Sequence, residues 1–332
     1  MKRIAIVGAG AWGTALSIVG RRAGLDVVIQ AHEADVVRAI NGDHANPVYL
    51  KGVTLDPAIR AVAEPAEAAD GADAVLLVAP AQFVRAVAGR LKGALKPGRP
   101  VVICAKGIEQ ETFALMSEIV QATLPGTPLA VLSGPTFAIE VAKDLPTGVT
   151  LACKDDKTAK ALADMLSTPR FRIYRSDDVV GVEIGGAVKN VIAIGCGIVE
   201  GRRMGENARA ALITRGLAEM ARLGQAKGAR PETLMGLAGI GDLTLTCNAM
   251  QSRNFSLGVA LGRGEALADV LGQRASVAEG VFTAASVTGL ARKLGVDMPI
   301  CLAIDGIINH FADIDATIGG LLSRPTGVIE AS

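Results

Sequence analysis

An α/β fold is what the sequence predicts, with a doubly wound parallel sheet in the N-terminal part and an all-helical C-terminal domain. Three observations support it. Short apolar runs alternate with helical patterns through the first half of the 332 residues, as a parallel sheet covered by helices on both faces requires. The first of these runs turns through a glycine triplet into a helix. From about Asp177 onward strand signals stop and long helical patterns take over. The boundary is expected near residues 175–180, dividing the chain into residues 1–178 and 179–332.

The opening unit is Ile4-Ala5-Ile6-Val7, then Gly8-Ala9-Gly10-Ala11-Trp12-Gly13, then Ala15-Leu16-Ser17-Ile18-Val19. A G-x-G-x-x-G spacing between a strand and a helix is the fingerprint of a Rossmann-type dinucleotide site. Gly8 permits the tight turn, Gly10 lets the backbone approach a pyrophosphate, and Gly13 lets the helix lie close on the sheet. The helix N-terminus then offers unpaired N–H groups and a partial positive charge to the phosphates. A tight turn that binds nothing has the same spacing; its placement between strand and helix favours the nucleotide.

The second strand is Asp26-Val27-Val28-Ile29-Gln30, followed by a helix over 33–40, a polar loop with Asn46-Pro47, and an Ala/Glu-rich helix around 65–70. Ala74-Val75-Leu76-Leu77-Val78-Ala79 is almost continuously apolar, the pattern of a central strand covered on both faces. Val101-Val102-Ile103-Cys104 and Leu129-Ala130-Val131-Leu132-Ser133 repeat it, and strands near 148–152 and 171–174 complete the sheet. Residues 179–199 are apolar nearly all round and carry Gly181, Gly185, Gly186, Gly195 and Gly197, which predicts a buried helix closely packed by its neighbours.

Composition narrows the function. Thirty-four basic residues against 33 acidic ones leave a formal charge of +1, so no long-range field recruits nucleic acid or an anionic membrane. Aromatic residues make up 3% of the chain, too few for a base-stacking platform. No uncharged apolar run of about 18 residues appears, and the most hydrophobic stretch, Val191 to Val199, is shorter and interrupted. No membrane span and no secretory leader are expected, because the first apolar residues are used by the strand and the glycine turn. Cys104, Cys153, Cys196, Cys247 and Cys301 are widely spaced without a C-x-x-C pair, which suits buried free thiols in a reducing cytoplasm. His32, His44 and His310 show no ligand spacing, so no metal is expected.

Lys189 is the charge most in need of an explanation. Its helical neighbours three and four residues away are Gly185, Gly186, Ile192 and Ala193, an apolar or small face. A lysine desolvated there suits proton transfer, with Asn190 beside it to orient substrate or amine. A lysine snorkelling to solvent from a helix edge is the equal alternative. Lys106 follows the strand at 101–104, at the carboxyl end of the sheet where such folds bind ligands, or is a plain loop lysine. Ser133-Gly134-Pro135-Thr136 bends from strand into helix and either lines the same crevice or only caps the helix. Gly239-Ile240-Gly241-Asp242 is a glycine turn whose carboxylate an Asx-turn would explain. Ser252-Arg253-Asn254 opens an amphipathic stretch and sets a guanidinium and an amide at a helix N-terminus, a good phosphate site; capping accounts for Ser252 and Asn254 but not for the arginine.

These blocks together resemble the bacterial type of the NAD(P)-dependent glycerol-3-phosphate dehydrogenase family. The resemblance covers roughly residues 3–320 and rests on Gly8 to Ala15, Ala105-Lys106-Gly107-Ile108-Glu109, Leu132 to Ala138, Ala187 to Ala193, Gly239 to Leu243, Ser252-Arg253-Asn254 and Val277-Ala278-Glu279-Gly280. It implies an oxidoreductase that reversibly reduces dihydroxyacetone phosphate to sn-glycerol 3-phosphate with NADH or NADPH, supplying phospholipid biosynthesis in the cytoplasm. By the family pattern Lys189 is the proton donor and acceptor at the C2 oxygen. Lys106 holds the substrate, and Asp242 with Thr246 orients the reacting groups. Ser252, Arg253 and Asn254 grip the phosphate, and Gly134 and Thr136 line the pocket. Gly8, Gly10, Ala11, Trp12, Gly13, His32, Lys106, Ala138, Arg253, Val277 and Glu279 are the implied cofactor contacts.

Cofactor preference is read from the end of the second strand. An acidic residue there binds the ribose 2′-OH and excludes a 2′-phosphate. This strand ends Gln30-Ala31-His32, with Glu33 and Asp35 just beyond, so NADPH is expected to be accepted and even preferred. The nearest rivals are dehydrogenases of the β-hydroxyacid or ketopantoate reductase type, which are not expected to combine the Gly241-Asp242 turn with Ser252-Arg253-Asn254. A non-catalytic NAD(P)-sensing protein on the same fold is the rival from another class. A helical second domain is compatible with a homodimer, although no sequence feature fixes it.

Overall fold

The computed structural model describes residues 2–272 and 278–324. It resolves into two compact units, one of Met1–Lys106 with Ala114–Val182 and one of Gly107–Phe113 with Glu183–Ser332.

The sheet unit runs β1 (Arg3–Val7), α1 (Ala11–Arg22), β2 (Asp26–Gln30), α2 (Ala34–Gly42), β3 (Ala45–Asn46), β4 (Leu50–Thr54), β5 (Arg60–Val62) and α3 (Pro65–Ala69). It continues β6 (Ala74–Leu77), α4 (Val84–Gly89), β7 (Val101–Ile103), α5 (Met116–Thr123), β8 (Leu129–Ser133), α6 (Ala138–Ala142), β9 (Thr147–Ala152), α7 (Asp156–Leu166) and β10 (Phe171–Ser176). The main sheet has the order β10-β9-β8-β7-β6-β1-β2-β5. β1 lies between β6 and β2, so the strand order reverses beside it, at the switch point where doubly wound sheets bind ligands. Val7 is level with Gln30 on one side and Leu77 on the other, and Gly8 N donates to Gln30 O at 3.2 Å, which places the glycine turn at that rim. Ile4, Ala5, Ile6 and Val7 are all fully buried, as a strand covered on both faces must be.

The parallel sheet expected from the sequence has one antiparallel pairing, at its edge. β9 pairs antiparallel with β8, and β10 follows β9 in parallel, so this edge runs opposite to the other strands. After β8 the chain turns back at Gly134, where an added Cβ would lie 3.0 Å from Val149 Cα. Its short helix α6 is tied to α1, because Arg22 donates to Val141 O and Ala142 O at 2.9 and 2.7 Å. The stretch expected as a polar loop around Asn46-Pro47 contains the β3–β4 hairpin, and β5 extends the main sheet beyond β2.

The helices that follow are α8 (Val179–Gly201), which enters the helical unit at Glu183, α9 (Glu206–Ala226), α10 (Pro231–Leu234), a π-helical turn at Leu237–Gly241, α11 (Asp242–Cys247), α12 (Arg253–Gly262), α13 (Leu267–Gly272), α14 (Glu279–Leu294), α15 (Pro299–His310) and α16 (Ile314–Leu322). α8 is long and apolar enough to cross a membrane by length and composition, yet its most apolar window is wholly buried inside the protein. Buried Glu219 on α9 accepts hydrogen bonds from Ile300 N and Cys301 N at 2.6 and 3.0 Å, capping α15 from a neighbouring helix. All five cysteines are buried free thiols.

Candidate active site

In the helical unit, α8 carries a buried cation, Lys189. Lys189 is only 7% exposed, and its Nζ donates to Asp242 Oδ1 at 2.7 Å and to Thr246 Oγ1 at 2.9 Å. Thr246 lies one turn after Asp242 on α11 and donates its own proton to Asp242 O at 2.6 Å, leaving a lone pair toward the amine. The face expected to be apolar is therefore interrupted by a carboxylate 53 residues further along the chain. Cys247, next in sequence, has its thiol pushed well above the ordinary range by burial and by neighbouring Cys196, so it stays protonated beside the pair.

Asp242 lies in a helix. It opens α11 directly after the π-helical turn, and that turn rests on α8 where Gly185 has no side chain. A Cβ at Gly185 would lie 2.3 Å from Ala238 O, so only glycine lets the two backbones approach this closely. Gly185 precedes Lys189 by four residues, so the contact that seats the turn is one helical turn from the amine it serves.

A second group forms where α8, α12 and α14 meet. Ser252 is the N-cap of α12 and accepts from Phe255 N at 3.2 Å. Asn254 is not a cap: its Nδ2 donates to Asn190 Oδ1 at 2.9 Å, and its Oδ1 accepts from Gly280 N at 3.0 Å. Arg253, on the same first turn, is exposed, and Glu279 opens α14 half-buried. Val277 lies outside the described residues.

In the sheet unit the glycine turn divides its labour. Gly8 has φ +115°, a conformation that side chains disfavour. A Cβ at Gly13 would lie 1.8 Å from Gly8 O, whereas one at Gly10 would meet nothing within 4 Å. Gly10 is the N-cap of α1, with no side-chain cap and no acidic residue in the first turn. Free N–H groups beside open space fit a pyrophosphate. Trp12 adds a buried indole N–H that finds no partner among the described residues. Asn46, which sequence reasoning passed over as loop, is buried and donates to Ala9 O and Thr14 Oγ1, both at 2.8 Å, locking the turn.

Lys106, Gly134 and Thr136 come together past the ends of β7 and β8. Lys106 Nζ donates to Gly134 O at 3.0 Å, and Thr136 Oγ1 donates to the same oxygen at 3.2 Å. Ala138 is half-buried at the start of α6. At the end of β2, Gln30 turns its amide to Ala63 O at 3.0 Å, and His32 is exposed beyond it. Both nearby acids are engaged: Glu33 accepts from the Tyr49 hydroxyl at 2.7 Å, and Asp35 pairs with Arg38.

A strand–glycine–helix nucleotide site in one unit and a buried lysine–aspartate pair in the other are what one enzyme family combines. The model of the NAD-dependent glycerol-3-phosphate dehydrogenase N-terminus matches residues 3–159, and that of the C-terminus matches residues 178–319. The chain belongs to this family. A glycerol-3-phosphate dehydrogenase (NAD(P)+) of Rhodospirillum rubrum is 59% identical to it over 98% of this chain and 93% of the relative. One of Caulobacter vibrioides is 53% identical, with 98% of each covered. The crystal structure of glycerol-3-phosphate dehydrogenase from Coxiella burnetii superposes with a TM-score of 0.94 at 38% identity, covering 97% of this chain and 99% of that one. The cofactor class, NAD(P), follows from these relatives and from the matched nucleotide-binding part.

Proposed function

We propose that the protein reversibly reduces dihydroxyacetone phosphate to sn-glycerol 3-phosphate, using NADH or NADPH. The observation that carries this is Lys189, a buried amine held by Asp242 and Thr246 within a family that performs this reaction class. When bound, the nicotinamide supplies the hydride. Lys189 donates a proton to the C2 oxygen as negative charge builds there, and takes it back in the oxidation direction. Asp242 and Thr246 hold the amine in place. Ser252, Arg253 and Asn254 bind the phosphate, whose binding energy orients the carbonyl. Lys106, Gly134 and Thr136 contact the substrate.

On this reading Gly8, Gly10, Ala11, Trp12, Gly13, His32 and Ala138 hold the dinucleotide, with Lys106, Arg253, Val277 and Glu279 contributing. Residues 1–178 serve chiefly the cofactor and 179–332 chiefly the substrate. No carboxylate stands at the end of β2, where Gln30 and His32 take its place, which supports use of NADPH. A cytoplasmic enzyme supplying phospholipid synthesis, and working as a homodimer, completes the reading. α16 buries none of its residues despite its apolar composition, and Leu322 at its end is 75% exposed, a face for a second copy to cover.

The test is the absorbance of NADH and NADPH during turnover with dihydroxyacetone phosphate. Oxidation of either cofactor is the expected result. Faster reaction with a 2-keto acid than with dihydroxyacetone phosphate would overturn the substrate, and a strong preference for NADH would overturn the cofactor inference.

A further inference from the structure

α8 carries Lys189 and Asn190, and α12 carries Ser252, Arg253 and Asn254 at its start. The two helices run side by side in one register. Asn254 bonds to Asn190. Four residues on, a Cβ at Gly258 would lie 2.0 Å from Ile194 O, and four further, one at Gly262 would lie 2.5 Å from Ile198 O. From the other side, a Cβ at Gly197 would lie 2.1 Å from Phe255 O, and one at Gly201 would lie 2.4 Å from Val259 O. Gly197 and Gly201 on α8 thus lie directly against Gly258 and Gly262 on α12, main chain on main chain. Helices separated by side chains sit about 8–10 Å apart and adapt by changing rotamers. A contact between backbones has no such adjustment.

We propose that this glycine contact sets the length of substrate the enzyme accepts, by fixing the distance between the Lys189 amine and the phosphate-holding first turn of α12. The proposal rests on the roles given above to Lys189 and Arg253. Both groups lie close to the contact they share. Arg253 precedes Gly258 by five residues and Lys189 precedes Ile194 by five, roughly 7 Å along each helix axis. Any widening at the contact therefore reaches the span between amine and phosphate almost undiminished. A third helix closes the same junction, since a Cβ at Gly280 would lie 2.7 Å from Asn190 O. A misplacement of about 1 Å costs on the order of 100-fold in rate, and one added methyl group at Gly258 forces a shift of that size.

The experiment compares dihydroxyacetone phosphate with dihydroxyacetone, which has the same carbonyl and no phosphate to be spaced. Gly258→Ala is expected to lower kcat/KM for the phosphate ester by about 100-fold while leaving dihydroxyacetone turnover near its wild-type value. Gly262→Ala, with the milder overlap, shows the same pattern to a smaller extent. Gly320→Ala, on α16 with open space around it, leaves both substrates unchanged. Equal losses for the two substrates would make the contact a matter of general packing and overturn the proposal. So would an unchanged preference in folded Gly258→Ala, or failure of both glycine variants to fold. Arg253→Ala separates the premise from the inference. If it leaves the preference for the phosphate ester intact, the phosphate clamp is wrong and the length proposal falls with it. If it abolishes that preference while Gly258→Ala does not, only the length proposal falls.

Discussion

Glycine serves opposite ends in the two units. At the N-terminus of α1 the absent side chain leaves room: a Cβ at Gly10 would meet nothing, and the N–H groups behind it face open space. On α8 the absent side chains remove room. Gly185 brings the turn that carries Asp242 onto the lysine helix, and Gly197 and Gly201 bring α12 against it. The difference follows from what each unit presents to its ligand. The sheet unit offers main-chain atoms, which need only a gap for a phosphate to enter. The helical unit offers side chains from separate helices, and these work together only if the helices that carry them cannot drift.

That contrast breaks most easily at Lys189. Lys189→Ala is expected to lower kcat by about 10²–10⁴-fold, the usual contribution of a positioned acid or base. It also leaves the Asp242 carboxylate buried without its cation, a loss of about 3–5 kcal/mol of stability. The double variant Lys189→Met with Asp242→Asn separates the two effects: it is expected to recover most of the stability in a denaturant titration and none of the turnover. Wild-type turnover in Lys189→Ala would show that the helical unit does not work through this side chain.

Two neighbouring glycines sharpen the comparison from the other side. Gly10 has φ −64°, which alanine adopts freely, and its Cβ would meet no protein atom. Gly10→Ala should therefore keep wild-type unfolding while NADH binding weakens by about tenfold or more, the loss of roughly 1.4 kcal/mol. Gly13→Ala, with its 1.8 Å overlap on Gly8 O, should lose affinity and also about 1–3 kcal/mol of stability. Fluorescence titration with NADH alongside thermal melts reads both. Equal melting losses in the two variants would mean that Gly10 is structural as well.

How much of this was legible in the sequence differs between the units for the same physical reason. The glycine turn and the strands around it are local patterns; β2 and β8 have the bounds that the apolar runs predict, and β1 starts one residue earlier, at Arg3. β3, β4 and β5 escaped because they are short and carry residues such as Lys51 and Arg60 without regular alternation. The reversed direction of β9 and β10 escaped because an apolar strand reads the same in either direction. In the helical unit Lys189 stood out by its uncharged neighbours, but its partner did not, since the lysine and Asp242 are distant in sequence. Asp242 looked like a turn residue, and Asn254 like a cap, because those are the local uses of Asp and Asn. Asn46 gave one signal that was passed over, an amide in a segment otherwise read as loop, next to a glycine turn whose carbonyls need donors.

Acid should distinguish the units by sign. In the sheet unit Asp73 accepts from Lys2 N and Arg3 N and faces Arg99, and these hold its carboxyl below the ordinary 3.8. In the helical unit burial pushes the Glu219 carboxyl above the ordinary 4.5, outweighing the two N–H donors and Arg222 that pull it down. A depressed carboxylate contributes stability that is present above its unfolded value and lost as pH falls through the folded one. A raised carboxyl does the reverse: between 4.5 and its folded value the native state binds more protons than the unfolded state, so stability declines as pH rises across that interval. Hydrogen exchange corrected for intrinsic rates, followed from about pH 3 to 6, should then show protection of β1 and β6 falling with acid while protection at the start of α15 rises. Asp73→Asn is expected to flatten the first slope and Glu219→Gln the second. Slopes of the same sign in both units would show that Glu219 is solvated through fluctuations of α9 and α15, and that the helical unit is less rigid than its glycine contacts imply.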